Sequence, residues 1–64
     1  MEIGNTCTIY LSREHTSRTV YKGEYDGVFE GMLCFKDCFY IDEDNPKPSY
    51  MLFNKRHIVK IEAV

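Results

Sequence analysis

Gly23-Glu24-Tyr25-Asp26-Gly27-Val28-Phe29-Glu30-Gly31-Met32-Leu33-Cys34-Phe35-Lys36 is the stretch on which the reading of this 64-residue chain turns. Gly23, Gly27 and Gly31 recur within it at every fourth position, between apolar residues that favour strands. Glycine inside a strand pattern marks a bulge, a sharp bend or the close approach of another backbone. A turn around residues 29–31 leads into a second apolar run that starts at Met32. The stretch predicts two antiparallel strands that bend at glycine and meet in a tight turn.

Outward from this stretch the chain also reads as strands. Residues 6–11 alternate, with Cys7, Ile9 and Leu11 facing one way and Thr6, Thr8 and Tyr10 the other. Residues 12–17 form a polar hairpin loop in which His15 is expected to face solvent. The next strand is expected over 18–28, with Tyr21, Gly23 and Tyr25 on one face. The third runs from Met32 to about Ile41 with a kink at Lys36-Asp37, and residues 42–49 make an acidic, proline-bearing loop. Residues 50–54 and 58–64 are the last two strands, separated by the basic turn Lys55-Arg56-His57.

Composition agrees. Val, Ile, Thr, Tyr and Phe supply 22 of the 64 residues, Ala occurs once and Gln not at all. No segment carries a helical apolar stripe of useful length. The expectation is one all-β domain, 1–64: a small, five-stranded, strongly bent antiparallel barrel.

Size and charge bound the function. A 7.5 kDa chain has a folded surface of about 4,200 Å² against about 10,900 Å² unfolded. If about 4,000 Å² of what it buries is apolar, the gain is on the order of 100 kcal/mol, and ordering the chain costs about the same. A disulfide, a metal or further copies of the chain must add stability.

No apolar run approaches the ~20 residues of a membrane span, and residues 1–11 lack the basic start and apolar core of a secretory leader. Nine aromatics exclude disorder. Ten carboxylates against eight Lys and Arg exclude a general DNA-coating protein. Three cysteines, an odd number at spacings that match no disulfide scaffold, point to a reducing cytoplasm, of a cell or of a virus-infected host.

Chemistry-bearing residues are few. Cys7, Cys34, Cys38 and His57 invite a zinc reading. However, Cys34 and Cys38 lie ~13 Å apart on a straight strand, too far for one metal with bonds of ~2.3 Å, and only a turn at Lys36-Asp37 would bring them together, for a metal or a disulfide. Core packing is the expected role of the cysteines. No nucleophile–base signature, phosphate-cradling glycine loop or cleft-sized domain supports an enzyme or a small-molecule substrate, and no cofactor is implied. Tyr10, Tyr21, Tyr25, Tyr40 and Tyr50 suit core or interface positions with a wet hydroxyl, or an exposed stacking surface. Lys55, Arg56, His57 and Lys60 form the one basic cluster, either a phosphate-binding turn or a solvated one paired to neighbouring acids.

SH3-like, OB-like and Sm-like barrels all meet this description. The stretch Gly23–Lys36 resembles the first signature of the Sm-like (Sm/Lsm/Hfq) family, with Gly23, Tyr25, Val28, Met32 and Phe35 at its glycine and apolar places and Lys36 at the lysine that ends the strand. Leu52-Phe53-Asn54-Lys55-Arg56-His57-Ile58-Val59-Lys60-Ile61 is similar to the second signature, an apolar pair, a tight polar turn and a short apolar strand ending in Ile. The likeness covers residues 7–61.

The resemblance implies a ring of identical subunits, made by pairing the fourth strand of one copy (Tyr50, Met51, Leu52, Phe53) with the fifth of the next (Ile58, Val59, Lys60, Ile61). It implies single-stranded RNA as a ligand at the pore, with the 55–57 turn lining it. It also implies an N-terminal helix, here short or absent because the first strand starts early.

The base-holding positions differ from the family pattern. Phe29 and Leu33 stand where an Asp and an Asn flank the turn, Gly31 replaces the stacking residue, and Asn54-Lys55 replaces an Arg-Gly pair. RNA recognition would fall to Phe29 as a stacker, Asn54 as donor and acceptor, and Lys55, Arg56 and His57 as the basic turn. The alternatives are a protein-interaction or structural ring without RNA recognition, and a monomeric SH3-like module.

Overall fold

The computed structural model describes residues 1–14 and 16–64, so His15 and its expected exposure lie outside the described residues. Strands β1 (Thr6–Leu11), β2 (Val20–Phe29), β3 (Met32–Tyr40), β4 (Ser49–Asn54) and β5 (Ile58–Ala63) form one antiparallel sheet in the order β4-β3-β2-β1-β5. A single 3-10 turn, Lys55–His57, joins the last two. Residues 1–5 form a turn and no helix; Gly4 and Asn5 extend the ladder of β1 by exchanging backbone hydrogen bonds with Tyr25, each 2.9 Å long.

Irregularities in the ladders bend the sheet. Between Lys22↔Phe39 and Glu24↔Lys36 one residue of β2, Gly23, faces two of β3, Asp37 and Cys38. Asp37 takes the left-handed φ of 51° that lets the extra residue be absorbed. Cys38 turns inward so closely that a Cβ on Gly23 would lie 2.9 Å from the Cys38 Cβ, so this position excludes any side chain. A second irregularity, between Tyr25 and Val28, places Gly27 at φ 101°. The kink read at Lys36-Asp37 is thus a bulge.

The β2–β3 hairpin turns at Glu30 and Gly31, both with positive φ (50° and 79°). That pair matches the two-residue turn whose twist suits antiparallel strands.

The bend folds the sheet over one core. Cys7, Ile9, Phe35 and Cys38 are buried together, with Leu11, Tyr21, Tyr25, Leu33, Met51, Phe53, Ile58 and Ile61 packed around them. Tyr21 of β2 meets Phe53 of β4 at a ring separation of 5.3 Å although β3 runs between these strands, a contact that a flat sheet forbids. Phe35 joins Tyr25 and Phe53 at 5.7 and 5.8 Å, distances at which tilted rings attract.

The sheet is barrel-like but does not close. β4 pairs with β3 and β5 with β1, and no ladder joins β4 to β5. The folded surface is 4,450 Å², close to the ~4,200 Å² expected from mass.

The three cysteines are buried thiols. Cys7 and Cys38 belong to the core, and Cys34 is covered on the opposite face of β3 from Phe35. Burial pushes the Cys38 thiol up to about 11 and raises Cys7 as well. Among the described residues no group of three or more His, Cys, Asp or Glu side chains gathers where a metal could sit. No helix among them is long and apolar enough to cross a membrane.

Candidate nucleic-acid interface

One rung of the sheet collects several of the residues singled out in the sequence. Phe29 pairs with Met32, and Met32 with Asn54, so Phe29 and Asn54 lie two strand spacings apart, about 10 Å. Phe29 is 59% exposed although aromatic, at the end of β2 beside the Glu30-Gly31 turn. Asn54 ends β4 and caps the 3-10 turn: its Oδ1 accepts a hydrogen bond of 3.1 Å from the Arg56 backbone N–H. This cap uses the carbonyl oxygen that the sequence reading offered to a base and leaves the amide NH₂ as a donor.

Beyond Asn54 the turn carries three consecutive basic side chains. Lys55 and Arg56 are exposed and make no ion pair among the described residues, whereas His57 is half-buried. The Ser12 N–H donates to the His57 carbonyl at 2.8 Å and fixes the turn against the end of β1. Lys60 stands apart from this group. Its Nζ sits 4.7 Å from the centre of the Tyr10 ring, a cation–π contact across β1 and β5. Glu30, exposed at the hairpin turn, brings one negative charge to the Phe29 end.

The eight residues assigned to subunit contacts divide by face. Met51, Phe53, Ile58 and Ile61 are half-buried against the chain's own core, while Tyr50, Leu52, Val59 and Lys60 are exposed. Tyr50, Leu52 and Val59 keep 53%, 41% and 67% of their surface. Val59 stands out because β5 bulges there: Tyr10↔Lys60 is followed by Leu11↔Ile58. The outer edges of β4 and β5 have no strand beside them among the described residues. Backbone donors and acceptors are therefore free at both ends of the strand order.

One contact was not legible in the sequence. The Tyr50 hydroxyl donates to Asp26 Oδ2 at 2.8 Å, tying the exposed face of β4 to β2 across β3. This hydrogen bond, with a further one to Cys34, pushes the Tyr50 phenol well above its ordinary range. The two residues are 24 positions apart, and nothing in local spacing pairs them.

Of the other tyrosines, Tyr21 and Tyr25 pack on the core and Tyr40 lies under Arg18, 5.1 Å from ring centre to guanidinium. Tyr10 is raised by its hydrogen bond to Glu62.

No family model, no curated protein and no solved structure matches this chain.

Proposed function

We propose that this chain is an Sm-like subunit that assembles with copies of itself into a ring and binds single-stranded RNA at the 55–57 turn. The observation that carries the reading is the pair of open edges, β4 and β5, at opposite ends of one sheet. An edge of β4 joined to an edge of β5 is a head-to-tail contact, which makes a ring when its rotation closes. The marginal stability of so short a chain is offset by such pairing. Exposed Tyr50, Leu52 and Val59 supply apolar surface next to those edges.

RNA is supported by the Phe29–Met32–Asn54 rung and the adjoining Lys55 and Arg56. An aromatic face stacks a base, an amide donates to its edge, and cations attract phosphate. In a ring these groups recur once per subunit and their field adds.

Light scattering coupled to gel filtration tests assembly: the mass is expected at a multiple of 7.5 kDa. A monomer at micromolar concentration sinks the ring and leaves the SH3-like alternative. Anisotropy with labelled oligo-U and oligo-A is expected to show micromolar binding that weakens as salt rises.

A second reading, a protein-binding ring without RNA, is favoured by the net charge of −2 and by Glu30 beside Phe29. Pull-down from lysate with and without nuclease separates the two.

A further inference from the structure

On the outer side of the Gly23 bulge lies a cleft of about 310 Å³, lined by Thr6, Lys22, Gly23, Glu24, Asp37 and Phe39. It is separate from the Phe29–Asn54 rung and shares no residue with it. Its shape follows from the register. Thr6 pairs with Glu24 and Lys22 with Phe39, so two cross-strand pairs flank Gly23. The two-against-one mismatch sends Cys38 into the core and leaves Asp37 outside at φ 51°. Bulges re-aim side chains in this way, and an L-residue held at positive φ is a recurrent mark of ligand sites.

The chemistry of the lining narrows the ligand. Glu24 is engaged by Lys36 at 3.7 Å, whereas Asp37 and Lys22 have no ion pair among the described residues. The lining holds one lysine, Lys22, against two acids, Glu24 and Asp37, and even with Lys36 counted beside Glu24 the charge only balances, so a bare phosphate gains nothing here. A fitting ligand presents adjacent N–H donors to the Asp37 carboxylate, an anion to Lys22 and a flat ring to Phe39. Carboxylate oxygens only accept. Among the four RNA bases only guanine offers two neighbouring donors, N1–H and N2–H₂, on one edge; adenine, cytosine and uracil each set an acceptor beside their donor. The volume is at the small end of the ~300–1,000 Å³ range of ligand sites, room for one nucleotide. We infer that the Gly23 cleft binds a single guanine nucleotide, with Asp37 reading the base edge, Phe39 against the ring and Lys22 on the phosphate.

The site needs no ring, so it stands or falls apart from the assembly reading. The test is an amide NMR titration of the full chain with the 5′-monophosphates of guanosine, adenosine, cytidine and uridine. The guanosine nucleotide is expected to move the amides of Thr6, Gly23 and Phe39 and to bind at least tenfold tighter than the other three. Asp37→Asn, which tolerates the same left-handed backbone, is expected to remove that preference. Lys22→Gln is expected to weaken the nucleotide severalfold without changing the affinity for guanosine itself.

A UUGUU pentamer and a UUAUU pentamer separate the sources. Tighter binding of the guanine-bearing RNA than of the mononucleotide assigns the cleft to RNA, and the reverse order assigns it to the free nucleotide. Equal affinity for all four nucleotides, shifts confined to residues 54–57, or no shift at millimolar concentration overturns the inference.

Discussion

The first forty residues and the last sixteen are built on different terms. Among the described residues every fully buried hydrophobic one, Cys7, Ile9, Cys34, Phe35 and Cys38, lies on β1 or β3, and β2 runs between those strands. Residues 49–64 contain no fully buried residue at all. β4 and β5 each lean on one neighbour with alternate side chains and leave the rest to solvent. The central strands are held on both sides and pack to contact distance, whereas the flanking strands hold half of their hydrogen-bonding groups in reserve. In this molecule, stability resides in the middle of the sheet and the capacity to associate resides at its rims.

Substitutions can break that contrast. Gly23→Ala is expected to have the largest effect. Its Cβ would fall 2.9 Å from the Cys38 Cβ and 3.2 Å from the Cys38 Cα, and backbone cannot yield as a flexible side chain does. A loss of about 3 kcal/mol or more would leave the isolated chain largely unfolded by circular dichroism. Phe35→Ala comes close behind at about 3–5 kcal/mol, read as a lowered urea midpoint; a small effect there would mean that the core is not centred on Phe35.

Gly31→Ala tests turn geometry alone, because nothing lies within 4 Å of the added Cβ but φ is 79°. About 1 kcal/mol is expected. At the rims, the double change Leu52→Lys and Val59→Lys is expected to alter the unfolding free energy of the single subunit by less than about 0.5 kcal/mol. The same pair is expected to lower the mass seen by light scattering, because charge on an edge strand opposes pairing. An unchanged mass would move the subunit contact away from β4 and β5.

Alkali sharpens the comparison at the core. The Cys38 thiol ionises at about 11 in the folded chain and at an ordinary 9.0 when unfolded, because burial disfavours its charged form. The folded state therefore holds the proton more tightly. Stability from this group is fully present below pH 9 and declines as pH rises from about 9 through 11. Cys38→Ala is expected to flatten that part of the pH profile, measured by urea unfolding at fixed temperature.

The strands and their inner faces were legible because period-two alternation at Cys7-Ile9-Leu11 and at Tyr21-Gly23-Tyr25 is a local property. The turn at residues 29–31 was legible for the same reason. Boundaries moved by only a few residues: β2 begins at Val20 rather than 18, and β3 ends at Tyr40. The outcome of the Lys36-Asp37 kink was not legible. Which of Asp37 and Cys38 turns inward depends on the register against Gly23, a contact between strands.

Closure was also beyond the sequence, since a gap between β4 and β5 is fixed by the summed bend of four ladders. At the candidate site, residue types were readable but duties were not. Asn54 spends its oxygen on the Arg56 backbone, and Met51, Phe53, Ile58 and Ile61 serve their own core before any neighbour.

The way β5 is fastened has a kinetic corollary. It hangs on β1 through one ladder, with the Lys60–Tyr10 contact as a clip and a three-residue turn as its hinge. Such a latch opens by local fluctuation, long before the molecule as a whole lets go. Its amides set the clock for exchange with deuterium, and a strand added along its outer side would slow that clock without touching the core.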